Sequence, residues 1–229
     1  MASQKKQSVL NGAVILMVAV VSVKVIGALF KMPLTDMLGT VGRGYFQSAY
    51  EIYTPIFAIS MAGLPVAVSR MVAENVALSK YRDARAVFNV SKRIFLIVGT
   101  VGTLIIFIVA YPYAYFVAGL KSIPAILCVA PSVLFCCYMS AYRGYYEGLR
   151  NMTPTAISQV IEALGKLVVG LLLAKAVMSV GASQYAKGMA ASGNVSATVF
   201  GNQVTSLTEA NSVIVPWAAA GAVLGVTVG

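Results

Sequence analysis

Long uncharged stretches divide the chain into apolar segments of similar length. No charged residue occurs over 94–120, 122–142 or 210–229, runs of 27, 21 and 20 residues. A helix needs about 20 apolar residues to cross the hydrocarbon core of a bilayer, so each run is long enough to span a membrane. The pattern therefore predicts membrane-spanning helices.

Three more segments are apolar but carry isolated charges. Residues 11–30 contain only Lys24, and residues 44–69 contain only Glu51. Residues 154–178 hold three charges but include the apolar stretch LVVGLLLA. Together the segments predict an all-α integral membrane protein, a bundle of six transmembrane helices near 11–31, 44–69, 93–117, 122–146, 154–178 and 212–229.

Two connections are long enough to need an interpretation of their own. Residues 179–211 are rich in Ala, Ser, Gly, Asn and Thr with little periodicity, which predicts a flexible external loop. Residues 73–93 place apolar side chains at helical spacing among basic ones. This second pattern fits an amphipathic helix on the inner leaflet or, alternatively, a solvated helical hairpin between spans.

The distribution of basic residues sets the orientation. Of the 17 Lys and Arg residues, ten lie at the N-terminus, between the second and third spans and after the fourth span, against five on the opposite side. Cytoplasmic loops carry the excess of basic residues, so the N-terminus is expected on the cytoplasmic side of the membrane. A basic inner face meeting anionic membrane lipid accounts for the net charge of +10 without nucleic acid.

Several kinds of chemistry are excluded by the residues present. All three cysteines, at 128, 136 and 137, fall in the fourth span and the chain has no histidine, so no metal site is expected. No nucleophile motif or phosphate-binding glycine loop occurs either. The sequence predicts neither catalytic residues nor a cofactor, and it does not indicate an enzyme.

Charges at bilayer depth are costly and tend to mark function. Lys24 and Lys31 are two helical turns apart and share one face of the first span, where they are candidates for binding an anionic ligand. For Lys31 the alternative is a lysine that reaches the outer interface. Glu51 in the second span is a candidate partner for either lysine.

The fifth span carries a polar stripe. Gln159, Glu162 and Lys166 follow Thr155 and Ser158 at helical spacing, so one side of this helix is polar to a depth of about 18 Å. Such a stripe packs on polar partners or lines a water-filled cavity, and the cavity is the favoured interpretation. Arg70, Arg143, Glu147 and Arg150 are instead predicted to anchor the helices at the cytoplasmic face.

The last predicted span ends the chain while still uncharged. Gly221, Gly225 and Gly229 form a stripe of small residues of the kind that lets helices pack closely. The expectation is therefore a fragment whose glycine face packs on helices beyond the chain.

Five stretches resemble the bacterial polysaccharide-biosynthesis flippases of the multidrug/oligosaccharidyl-lipid/polysaccharide (MOP) exporter superfamily, and look closest to the stage V sporulation protein B and lipid II flippase branch. These are KVIGALFKMPL (24–34), AGLPVAVSRMVAE (62–74), YRDARAVFNVSKR (81–93), YRGYYEGLRNMTPTAISQVIEALGK (142–166) and AAAGAVLGVTVG (218–229). Lys24 matches the first-helix basic position of lipid II flippases, whereas the second basic position falls at Phe30 with Lys31 next to it.

The resemblance implies one lobe of a two-lobe transporter with a MATE-like fold, whose second, C-terminal lobe lies outside this chain. It also implies a function: moving a polyprenyl-pyrophosphate-linked oligosaccharide, such as lipid II or another cell-wall or polysaccharide precursor, across the membrane by alternating access. Two alternatives stay open, a multidrug or cation-coupled extruder of the same superfamily and a membrane partner of cell-wall synthesis that does not transport.

Overall fold

Helices make up almost the whole protein. The computed structural model describes residues 9–61, 63–191 and 196–228, and five of its helices are long and apolar enough to cross a membrane by length and composition. The prediction of an all-α membrane bundle is confirmed. The elements in chain order are α1 (Val9–Met61), α2 (Leu64–Ala77), α3 (Tyr81–Tyr113), α4 (Ile123–Gly148), α5 (Thr153–Ala191), β1 (Ala197–Val199), β2 (Asn202–Val204) and α6 (Leu207–Val228).

The 53-residue helix α1 is two antiparallel arms rather than one rod. Gly39 interrupts it with φ 65° and ψ −175°, a conformation that residues with a Cβ rarely adopt. The rings of Phe30 and Phe46 are 6.0 Å apart, whereas 16 residues of straight helix would separate them by about 24 Å. The first arm (9–38) and the second arm (40–61) therefore supply the first two predicted spans.

The second predicted span, 44–69, is longer than the helix that the structure has there. The second arm of α1 ends at Met61 and α2 begins at Leu64, because Gly63 lies at the break and Pro65 occupies the first turn of the new helix. A Cβ on Gly144 would lie 2.8 Å from the Pro65 carbonyl oxygen, so α2 packs closely on α4. Position 62, predicted inside this span, lies outside the described residues.

The basic connection at 73–93 is a turn between two helices. α2 ends at Ala77 and α3 begins at Tyr81, with Ser79 in the left-handed region at φ 59°. Val72 and Ala84, on either side of the turn, are both buried. The structure thus has the helical hairpin, and the single amphipathic helix is wrong.

The prediction of a flexible loop over 179–211 is wrong in its secondary structure. Helix α5 continues to Ala191, and β1 and β2 form an antiparallel hairpin in which Ala197 faces Val204. Val199, Val204 and Ile214 build a small separate core that joins this hairpin to α6. The stretch shows little hydrophobic periodicity because small residues such as Gly181 and Gly188 make its contacts; positions 192–195 lie outside the described residues.

The glycine face of α6 has its partner inside the chain. A side chain on Gly225 would overlap the backbone of Gly170 on α5, and one on Gly221 would lie 3.3 Å from the Leu173 carbonyl oxygen. The expectation that this face packs on helices beyond the chain is therefore wrong for these two glycines. Close contact between small residues instead holds α5 against α6, and Gly229 lies outside the described residues.

Candidate functional site

A polar cavity of about 430 Å³ lies between the two arms of α1 and helices α4 and α5. Hydrophobic side chains, including Val23, Phe30 and Phe46, form part of its wall. Its polar lining residues come from all three helices and are Lys31, Gln47, Tyr50, Thr54, Arg143, Gln159, Glu162 and Lys166.

The centre of the cavity is a carboxylate held by two cations. Arg143 Nη2 on α4 donates to Glu162 Oε2 at 2.8 Å, and Lys166 Nζ donates to Glu162 Oε1 at 2.6 Å. Arg143 Nε also donates to Ser158 Oγ at 3.1 Å. The three charged side chains are between 16% and 29% exposed, so they are largely withdrawn from solvent and their hydrogen bonds are charge-assisted.

The charges of the cavity do not cancel. Lys31, Arg143 and Lys166 give three positive charges and Glu162 gives one negative charge, which leaves an excess of two positive charges. Lys31 forms no ion pair with any residue that the structure describes. A concave site with unneutralised positive charge is suited to an anionic group.

The structure brings together four of the six residues predicted for the cavity, namely Lys31, Gln159, Glu162 and Lys166. Lys24 is exposed on the first arm of α1, and the cavity is lined by its neighbours Val23 and Gly27. The remaining candidate, Glu51, also lies outside the cavity lining. The cavity is therefore formed around the stripe of α5 rather than around Lys24.

Glu51 does not pair with a lysine. Its carboxylate accepts a hydrogen bond from the hydroxyl of Tyr113 on α3 at 3.1 Å, and within the described part of the chain it forms no ion pair. The reason is rotational, since Tyr50 lines the cavity and the next residue of a helix points about 100° away. The expected pair with Lys24 or Lys31 is wrong.

Arg143 differs from the other predicted anchors in its contacts. Its guanidinium joins α4 to α5 and lines the cavity, so Arg143 belongs to the candidate site, a role that the sequence did not predict for it. Glu147 is partly buried near the end of α4, while Arg70 and Arg150 are exposed. Anchoring at the membrane surface stays a prediction for these last three residues.

Three neutral polar residues of the cavity were not predicted. Gln47, Tyr50 and Thr54 lie on one face of the second arm of α1 at helical spacing. The helical spacing of these three residues indicates a polar face. The charged residue Glu51 indicates a different face of the same helix. Across the described residues, no group of three or more His, Cys, Asp or Glu side chains is placed to hold a metal ion.

These features define a class: an all-α, multi-pass membrane protein with a cationic cavity between its helices. Comparison with known proteins then gives the family. The family model described as polysaccharide biosynthesis protein matches residues 9–214, and the chain belongs to this family. The resemblance seen in the sequence is thereby confirmed.

Three proteins of Bacillus subtilis (strain 168) are similar to the chain. Lipid II flippase MurJ is 27% identical over 168 residues, Stage V sporulation protein B is 26% identical over 163, and Uncharacterized membrane protein YabM is 26% identical over 187. These matches cover 69%, 71% and 82% of the chain but only 31%, 32% and 34% of the relatives. The chain thus spans about a third of their length. No solved structure matches it significantly.

Proposed function

We propose that this chain forms one lobe of a flippase that moves a polyprenyl-pyrophosphate-linked oligosaccharide across the cytoplasmic membrane. The observation that supports the proposal most strongly is the cationic cavity, which Lys31, Arg143 and Lys166 line together with a single carboxylate. Membership of the polysaccharide biosynthesis family and similarity to a lipid II flippase support a lipid-linked glycan as the substrate.

The chemistry of a pyrophosphate matches the cavity. A pyrophosphate diester carries two negative charges, equal to the excess positive charge of the lining, and its oxygens accept charge-assisted hydrogen bonds from guanidinium and ammonium groups. The amide and hydroxyl groups of Gln47, Gln159 and Thr54 are suited to hydroxyl groups of a sugar. A cationic drug would meet repulsion in the same cavity, which weighs against the drug extruder.

Transport requires the cavity to open to one side of the membrane at a time. In the proposal a second lobe faces this one and the two rock about the bound headgroup, the alternating access that the resemblance implies. The N-terminus lies in the cytoplasm, where the basic turn between α2 and α3, with Lys80, Arg82 and Arg85, meets anionic lipid. The exposed lysine Lys24 then faces the path between the lobes.

The test is a flipping assay in proteoliposomes. The protein used should have the full length of the relatives and contain the residues of this chain. Lys166→Gln and Lys31→Gln are each expected to lower the rate of movement of a polyprenyl-pyrophosphate-linked sugar by about tenfold or more, because each removes one charge-assisted contact with the phosphate. Lys187→Gln, the same change at an exposed position near the end of α5, is the matched control. Equal rates in the cavity variants and the control would contradict the proposal.

A further inference from the structure

Glu162 occupies the position that an anionic ligand of this cavity would take. Each of its two carboxylate oxygens is bound by one cation, Oε2 by Arg143 and Oε1 by Lys166. Both cations therefore already have a carboxylate partner in the ligand-free protein, although they share it. Any anion that binds to them must first compete with a carboxylate that belongs to the protein.

The competition favours Glu162 against weak ligands. A tethered carboxylate acts at a high effective concentration, whereas a free anion loses translational freedom when it binds. A monovalent anion brings no more charge than Glu162 does. It therefore gains nothing from the exchange to offset that loss.

A polyvalent anion gains more from the exchange. It brings two or more charges to Arg143 and Lys166, and it can reach the third cation, Lys31, which has no ion-pair partner among the residues described. The Coulomb attraction grows with the product of the charges, so a second charge about doubles it at equal distance. Competition with Glu162 lowers the affinity of every anion by a similar factor, so only a polyvalent anion, which starts from a higher affinity, still binds.

We infer that Glu162 is a specificity-determining residue that sets a charge threshold, so that a polyvalent phosphate displaces its carboxylate from Arg143 and Lys166 whereas a monovalent anion does not. The inference rests on the proposed function, since it concerns the same cavity. It assigns the carboxylate a role distinct from that of the cations, namely excluding the chloride and carboxylates that are abundant in cells. It also implies that binding loosens the link between α4 and α5 that Arg143 and Glu162 form.

The test is isothermal titration calorimetry on the purified chain in lipid nanodiscs, with inorganic pyrophosphate and acetate as the two probes. Acetate carries the same chemical group as Glu162 with a single charge. The wild-type chain is expected to bind pyrophosphate at least about 100-fold more tightly than acetate. Glu162→Gln is expected to tighten the binding of both probes by about tenfold, because the competing charge is gone, so that acetate binding becomes measurable.

Two further variants make the result specific. Glu74→Gln removes a carboxylate from an exposed position on α2 and is expected to leave both affinities unchanged. Glu162→Asp keeps the charge but shortens the side chain by one methylene, so it bridges both cations less well and is expected to give affinities between those of the wild type and of Glu162→Gln. This variant retains the counter-charge for Arg143 and Lys166 and provides the measurement should Glu162→Gln fail to fold.

The outcomes separate the inference from the proposed function. Weaker pyrophosphate binding in Glu162→Gln, or an acetate affinity unchanged in both Glu162 variants, would show that the carboxylate only positions the cations and would overturn the inference alone. Absence of pyrophosphate binding in both the wild type and Glu162→Gln would overturn the proposed function together with the inference.

Discussion

The guanidinium of Arg143 on α4 lies 2.8 Å from the carboxylate of Glu162 on α5, 19 residues further along the chain. This ion pair joins two helices and forms one wall of the polar cavity. It turns a residue that the sequence assigned to the membrane surface into part of the candidate binding site.

Removing Arg143 should destabilise the protein. Arg143→Ala leaves Glu162 with one cation instead of two and Ser158 without its donor, so the free energy of unfolding is expected to fall by about 2 kcal/mol. Unfolding by sodium dodecyl sulfate in mixed micelles measures the change. Arg93→Ala, at an exposed position on α3, is the control and should change stability by less than about 0.5 kcal/mol. Equal losses in the two variants would show that the ion pair adds no stability.

The close contact between α5 and α6 leaves no room for a side chain. Gly225→Ala places a methyl group on the Gly170 backbone and should lower the unfolding free energy by about 1–3 kcal/mol through overpacking. Gly44→Ala meets nothing within 4 Å and should instead stabilise the helix by up to about 1 kcal/mol. Thermal unfolding in detergent distinguishes the two signs, and a Gly225→Ala variant as stable as the wild type would contradict the packing.

The backbone amides of helix α5 should be protected from hydrogen exchange beyond the predicted span, 154–178. Hydrogen–deuterium exchange is expected to be slow over 179–188, where the amides are helical and Gly181 and Gly188 contact Ile214 and Ala197. Mass spectrometry of peptides from this region provides the measurement. Exchange at the rate of an unstructured peptide would contradict the helix and support the flexible loop that the composition predicts.

Lys24 and Glu51 should behave independently. A double-mutant cycle with Lys24→Ala and Glu51→Ala is expected to give a coupling within about 0.5 kcal/mol of zero, because Glu51 is bound by Tyr113. The same cycle on Glu162 and Lys166, 2.6 Å apart, should give a coupling above that value. A coupling above about 1 kcal/mol between Lys24 and Glu51 would indicate the ion pair expected from the sequence.

Hydropathy and helical spacing predicted much of the structure. The apolar runs located the membrane helices, and the spacing of Gln159, Glu162 and Lys166 placed these three residues on one wall of the cavity. Both signals arise within a single helix, where the geometry is fixed by the 3.6-residue repeat. Their success therefore needed no knowledge of how the helices pack.

What failed depended on contacts between helices. Arg143 sits beside tyrosines typical of a membrane interface, yet a long side chain and a partner 19 residues away draw it into the cavity. The position of Glu51 along its helix suits a partner for Lys24 or Lys31. Its side chain points to a different side of the helix and accepts a hydrogen bond from Tyr113. The rotation of one helix against another leaves no periodic trace in the sequence, and the spacing of Gly221 and Gly225 does not show which helix they pack on.

The binding of a polyprenyl pyrophosphate to this cavity is the most direct test of the account. Undecaprenyl pyrophosphate and undecaprenol share the isoprenoid chain and differ in the phosphate, so their affinities for the chain in nanodiscs isolate the headgroup. The account predicts that the pyrophosphate binds at least about tenfold more tightly, and that Lys31→Gln with Lys166→Gln removes this preference. Equal affinities for the two lipids in the wild type, or a preference that survives the double substitution, would contradict it.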